Sequence, residues 1–204
     1  LFGGHVADIG FFKFGWIDVA GSKQLIARSG YSKQGGFEIY LEGGHLGRML
    51  WDSIWHKGEG YNIAPGCPNL IERIEGGLLS YGNEMTRENN PLEIGLEQFC
   101  SLANPVDCIG MDALLEIHRA GIERQIRGVL FSGNPCPTCA TPWPVTTDGR
   151  QIGQVTSAIW SPRLKKNVGL SLIDRPHWDA GQSVSVACDD GVVREGVVSD
   201  LPFD

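Results

Sequence analysis

Ser29-Gly30-Tyr31-Ser32-Lys33-Gln34-Gly35-Gly36-Phe37-Glu38-Ile39-Tyr40-Leu41-Glu42 is the stretch whose reading decides the fold of this chain. Paired glycines free the backbone ahead of a short run of strand formers. Side chains alternate between the faces of a strand, so Phe37, Ile39 and Leu41 form a core face and Glu38, Tyr40 and Glu42 the opposite one. The second face sets a carboxylate beside a phenol, just past a loop that lets a flat ligand approach the backbone. A carboxylate accepts parallel N–H bonds from an amidine-like ring edge such as that of a pterin, and an aromatic ring covers a flat or cationic partner. The pattern is therefore expected to form a heterocycle site. The alternative is an amphipathic edge strand whose Glu38 and Tyr40 simply face water.

Upstream, Phe11, Phe12, Phe14 and Trp16 crowd the segment before Ile17 and Val19 and read as a strand laid against a core. The Ala20-Gly21-Ser22 turn leads to a second strand, Gln24 to Arg28, and the hairpin feeds the glycine loop. Downstream, Gly43-Gly44 ends the strand, and Leu46, Met49, Leu50 and Ile54 recur at helical spacing up to Gly58. Trp51 and Trp55 lie one turn apart on that helix and are read as packing residues, with a cofactor contact as the alternative. After a loop containing Pro65, Gly66 and Pro68, Asn69 is a suitable N-cap for a helix reaching Leu79. Gly76 and Gly77 are disfavoured inside a helix and signal a break or close packing, which would enclose Arg73 and Glu75 in part. The alternative for Arg73 is a surface pairing with Glu72 or Glu75, worth little.

Met111 to His118 reads as a helix ending near Gly121. Beyond it the text turns to short strands: Ile126 to Phe131, Pro144 to Thr147, Gln154 to Trp160, Val168 to Ile173, Val184 to Ala187 and Val192 to Val198. Asp148-Gly149 and Asp190-Gly191 mark turns between them, the signature of a small β-barrel or sandwich. The fold class is α+β, with an α/β domain over residues 1–124 and a C-terminal β-barrel over 125–204. Thr156 to Pro162, followed by Lys165-Lys166-Asn167, reads as a polar and basic loop that either faces the ligand site or is a solvated turn.

Lys and Arg number 17 against 24 Asp and Glu, a formal charge of −7 that opposes attraction to nucleic acid or anionic lipid. No apolar run has the length of a membrane span, and Leu1 onward lacks the order of a signal peptide, so a cytoplasmic protein is expected. Six cysteines in a chain of this size need not be staples, and reduced thiols are expected. Cys136-Pro-Thr-Cys139 has redox or zinc spacing, but with no second pair and no nearby His it reads as structural. The scattered histidines suggest no metal.

Several segments in register resemble one family. Ser29 to Tyr40, Ile71-Glu-Arg-Ile-Glu-Gly-Gly-Leu-Leu-Ser-Tyr-Gly-Asn-Glu-Met85, Asn90-Pro-Leu-Glu-Ile-Gly-Leu96 and Thr156-Ser-Ala-Ile-Trp-Ser-Pro162 look like the folate-binding aminomethyltransferases. That family is typified by the glycine cleavage T-protein and includes the dimethylsulfoniopropionate demethylases. The Ser-Lys-Gln-Gly-Gly loop, Leu78-Leu-Ser-Tyr81 and Ser161-Pro-Arg-Leu-Lys-Lys-Asn167 look most like the demethylase branch, where T-proteins carry a Thr-Gly-Glu type of loop. Tyr31 stands where this branch often has Trp, and His5 falls near another such position.

The resemblance implies that Glu38 holds the pterin edge of tetrahydrofolate and Arg73 helps to place the folate. It implies that Tyr40 lines a pocket shared with substrate, beside Tyr31. It requires no metal and no nucleophilic side chain, and it leaves the catalytic residues of this chain open. The implied reaction moves a methyl group from a sulfonium carbon to N5 of tetrahydrofolate. The partner is then a small-molecule methyl donor, and a homodimer is left open. Amine substrates of the T-protein, sarcosine and dimethylglycine type, and a folate-binding module without catalysis, are the alternatives. The match falls on the later part of the family fold, so an incomplete chain, inactive on its own, is expected.

Overall fold

A computed structural model of the chain describes residues 1–31, 35–67 and 69–203. Readings that fall on Ser32, Lys33, Gln34 and Pro68 lie outside the described residues. The chain divides into two compact units, Leu1–Asn69 and Leu70–Asp204.

The first unit is a three-stranded antiparallel sheet in the order β1-β2-β3, with β1 Phe14–Val19, β2 Ser22–Ala27 and β3 Glu38–Tyr40, followed by the helix α1 His45–Gly58. Strand alternation sends Ile17, Val19 and Ile26 inward, where they meet Val6 and the α1 residues Leu46 and Leu50. Ile39 and Leu41 close the same cluster from β3, as the alternation in the opening stretch requires. Gln24 is buried on this inner face and is satisfied there. Its Oε1 accepts from the backbone N–H of Glu42 at 2.6 Å, and its Nε2 donates to Ser22 Oγ at 2.9 Å.

The aromatic segment differs from expectation. Phe11 and Phe12 sit in a turn before the strand, closed by the bond from Lys13 N–H to Gly10 C=O, with Phe12 at φ 56°. Phe14 and Trp16 are on β1, but alternation with Ile17 and Val19 turns both rings outward, and all four aromatics are exposed. Phe37 precedes β3 and is likewise exposed. On α1 only Leu46 and Leu50 reach the core. Met49, Ile54, Trp51 and Trp55 are exposed, the two indoles resting on each other with centroids 5.7 Å apart.

The second unit opens with the helix α2 Leu70–Glu75, shorter than the spacing suggests. The glycine pair stops it. Gly77 adopts φ +66°, and Leu78 N–H reaches back to Arg73 C=O at 2.9 Å, the bond that closes a helix on a left-handed residue. After α3 Met111–Ala120 come six antiparallel strands: β4 Arg124–Phe131, β5 Trp143–Thr147, β6 Arg150–Ser161, β7 Lys166–Asp174, β8 Ser183–Ala187 and β9 Val193–Ser199. They close into a barrel in the order β4-β7-β6-β5-β8-β9, with β4 paired to β9. Its interior is filled by Val129, Phe131, Trp143, Val145, Ile152, Val155, Ile173 and their neighbours. On the outside, Ile74 of α2 packs with Val168, Leu170 and Phe203. Gly153 permits the β6–β7 approach, since a Cβ there would lie 2.3 Å from Leu172 C=O.

The polar loop read over 156–167 is not a loop. β6 runs to Ser161 and β7 begins at Lys166, leaving only Pro162–Lys165 as the turn. Polar residues are accepted inside these strands because α2 and the segment after it cover Thr156, Ser157 and Ser161, while Asn167 bonds the backbone of Ser132, Asn134 and Cys136. Thr156, Ser157, Ser161 and Asn167 are all buried. A bulge displaces the β6–β7 register between Val155 and Ser157, leaving Thr156 as the extra residue.

Candidate functional site

Cross-strand pairing in the first unit assembles side chains that the sequence keeps apart. Phe14 pairs with Ala27 and Ala27 with Glu38; Trp16 pairs with Leu25 and Leu25 with Tyr40. Residues directly opposite share a face, with Cβ atoms about 5 Å apart, and successive rows lie about 7 Å apart along the strands. The outer face of the sheet therefore carries two parallel rows, Phe14–Ala27–Glu38 and Trp16–Leu25–Tyr40. Trp16 and Tyr40 are 50 and 54% exposed, and Glu38 is exposed beside them. Ser29 Oγ donates to Oε2 of Glu38, which orients the carboxylate on this face. An exposed carboxylate flanked by uncovered rings can receive the N–H edge of a heterocycle while a ring covers its plane. Tyr31 is exposed in the β2–β3 segment, three residues of which lie outside the described ones.

A cleft of about 370 Å³ opens along the second row, lined by Trp16, Lys23, Gln24, Leu25, Tyr40, Leu41 and Glu42. Lys23 Nζ stands over the Trp16 ring, 5.2 Å from its centroid. From the sequence Trp16 reads only as part of a strand against the core, and Lys23 is not singled out. Only the register, which sets them opposite Leu25 and Asp18, reveals that they share a face with Tyr40.

Arg73 belongs to the second unit and is held in a network of its own. Its Nη1 donates to Glu84 Oε2 at 2.8 Å and to Leu78 C=O at 3.0 Å, and its Nη2 to Ser157 Oγ at 2.6 Å. The side chains of Arg73 and Glu84 are 8 and 0% exposed, so the surface pairing with Glu72 or Glu75 gives way to a buried ion pair. Glu84 also accepts from Ser80 N–H, Thr156 Oγ1 and Ser157 Oγ. Thr156 and Ser157 are consecutive, and neighbours on a regular strand point to opposite faces. The bulge lets both reach one carboxylate. Glu84 and Ser157 lie within segments read from the sequence but receive no role there, because a lone Glu after a glycine turn carries no signal of burial.

Beside this network, Ser161 Oγ and Arg163 Nε donate to the two oxygens of Glu75. Burial pushes the Glu75 carboxyl up, but the Ser161 and Arg163 bonds outweigh it and hold the group below the usual carboxylate range. Cys136, Cys139 and Cys188 pack at the barrel interior, all as free thiols. Burial pushes Cys136 up to about 11 and Cys139 up to about 12, which keeps them protonated and unreactive at neutral pH. Among the described residues no group of three or more His, Cys, Asp or Glu is placed to hold a metal ion. Among the same residues no helix is long and apolar enough to cross a membrane.

Comparison with known proteins supplies the rest. The family model for the GCVT N-terminal domain matches residues 4–104, and that for the glycine cleavage T-protein C-terminal barrel domain matches 124–204. The chain belongs to the glycine cleavage T-protein family. Dimethylsulfoniopropionate demethylase DmdA of Ruegeria pomeroyi is 49% identical over 96% of this chain and 54% of its own length. An aminomethyltransferase of Caldanaerobacter subterraneus is 37% identical over 89% of this chain and 48% of its own. The chain spans about half the length of the curated relatives it matches. A solved structure of the glycine cleavage system aminomethyltransferase T from Bartonella henselae superimposes with a TM-score of 0.77 over 97% of this chain and 54% of that one. At 24% identity that likeness establishes the T-protein fold.

Proposed function

We propose that this chain serves a tetrahydrofolate-dependent methyltransferase that moves a methyl group from dimethylsulfoniopropionate to N5 of tetrahydrofolate. The observation that carries the reading is the outer sheet face, where Glu38 and Tyr40 stand side by side, exposed, opposite Phe14 and Trp16. The donor set suits a reduced pterin. A carboxylate is oriented by Ser29, apolar rings flank it, and a cleft continues from it along the sheet. When bound, tetrahydrofolate supplies the nitrogen nucleophile that takes the methyl group. The tasks left to this chain are to grip the pterin edge at Glu38, to hold the donor beside it at Tyr40, and to keep water from between them. Arg73 takes no direct part in this proposal; it fixes Glu84 and Ser157, and through them the seating of α2 on the barrel. The 49% identity to a dimethylsulfoniopropionate demethylase favours the sulfonium donor over an amine.

Aminomethyl transfer is the second reading, favoured by relatives of that name at 34 to 37% identity. One experiment separates the two. Tetrahydrofolate and either dimethylsulfoniopropionate or an aminomethyl donor are incubated with this chain and with the longest natural form of the protein, and 5-methyl- and 5,10-methylenetetrahydrofolate are followed by mass. 5-Methyltetrahydrofolate is expected with the sulfonium donor. 5,10-Methylenetetrahydrofolate from the aminomethyl donor alone favours the second reading. Tetrahydrofolate binding without product from any donor leaves a binding module.

A further inference from the structure

The cleft beside Tyr40 is too small for a pterin and its side chain, and its lining is that of a different ligand. At about 370 Å³ it suits a short acyclic molecule. Trp16 and Tyr40 form its two ends with Leu25 between them, Lys23 stands one strand step further along the same face, and Glu42, beyond the end of β3, also lines it. Two rings and a carboxylate favour an onium centre, which carries no N–H or O–H and is therefore held by ring faces and charge alone. A bare cation would meet the ammonium of Lys23. Among the described residues Lys23 forms no ion pair, although Asp18 is its cross-strand neighbour, and its Nζ rests over the Trp16 ring at 5.2 Å.

We propose that this cleft seats the methyl donor and that Lys23 selects donors carrying a carboxylate. The inference rests on the methyl-transfer reading above and names the residues that choose its substrate. A zwitterion lays its onium centre between Trp16 and Tyr40, on the Glu42 side, and its carboxylate draws Lys23 Nζ away from the indole. One cation replaces another on the Trp16 face, and the opposite charges of Lys23 and Glu42 meet opposite charges on the ligand. A donor with the onium group but no carboxylate leaves Lys23 over Trp16 and competes with it.

The test is a set of calorimetric titrations of the full chain with dimethylsulfoniopropionate, with its methyl ester and with tetrahydrofolate, repeated on Lys23→Met and Trp16→Leu. A charge-assisted bond predicts that the wild-type chain binds the acid about tenfold or more tightly than the ester. Lys23→Met is expected to abolish that ratio by weakening the acid alone, and Trp16→Leu to weaken acid and ester together. Lys23→Met is expected to keep tetrahydrofolate affinity, which also reports that it folds, and the fold of Trp16→Leu is checked by its circular dichroism and thermal melt. An acid-to-ester ratio that survives in Lys23→Met overturns the assignment, as does tetrahydrofolate binding with neither donor bound by the wild type. If the ratio behaves as expected while tetrahydrofolate fails to bind, the donor seat stands and the folate reading falls.

Discussion

Glu38 is fixed by Ser29 yet stays in water, a combination that gives a carboxylate direction without the cost of burial. Replacing it by Gln keeps the shape and removes the charge. Tetrahydrofolate affinity measured by titration is expected to fall by about 1.5–3 kcal/mol, the worth of a charge-assisted bond; unchanged affinity would remove Glu38 from the pterin edge. A different carboxylate contributes to acid stability. Asp190 receives both terminal nitrogens of Arg194 at 2.9 and 2.6 Å, and that bond lowers its carboxyl to about 2 from an ordinary 3.8. The depressed value means that stabilisation is complete above the unfolded pKa and is lost as pH falls through the folded one. Thermal melts of the wild type are expected to lose stability between roughly pH 4 and pH 2, and Asp190→Asn to lower stability at neutral pH while flattening that acid limb.

At the scale of elements, α2 is placed by a cap and by a charge pair. Gly77 holds a left-handed conformation that an L side chain enters with strain. Gly77→Ala is expected to cost on the order of 1 kcal/mol in urea unfolding. The Arg73–Glu84 pair is a stronger constraint because both groups are enclosed. Arg73→Met strands the Glu84 carboxylate among Ser80, Thr156 and Ser157, and is expected to cost about 3–5 kcal/mol in the same experiment. Removing both charges with Glu84→Leu should cost less than Arg73→Met alone; a double variant no more stable than the single one would show that the pair's attraction, and not the stranded charge, sets the loss.

Across the whole molecule the ladders predict an order of opening. The residues Asn167–Ile173 of β7 are buried without a break, and β7 is flanked by β4 and β6 in a closed barrel. In the sheet of the first unit β1 and β3 are the outer strands among the described residues. Hydrogen exchange is expected to be slowest in β6 and β7 and markedly faster in β1 and β3; amides of β1 outlasting those of β7 would contradict this. The barrel is legible in the sequence because Asp148-Gly149 and Asp190-Gly191 are turn signals independent of packing, and the runs between them are long and rich in β-formers. The outer sheet face is legible only in part. Glu38 and Tyr40 follow from local alternation, whereas Trp16 and Lys23 require the pairing register, a non-local quantity. Glu84 and Ser157 depend on a covering helix and an extra strand residue, neither of which leaves a periodic trace.

That extra residue makes β6 behave like a reading frame. With Thr156 in place, Val155 and Ala158 both face the barrel interior although they are three residues apart, an odd spacing that a regular strand would forbid. Deleting Thr156 would bring Val155 and Ala158 to the ordinary same-face spacing of two, keeping Ala158 inward and Ser157 outward while taking one hydroxyl away from Glu84. A deletion at Ala158 or beyond would instead exchange inside and outside for the positions that follow it up to Ser161, so β6 can lose a residue at its bulge at far lower cost than in its regular part.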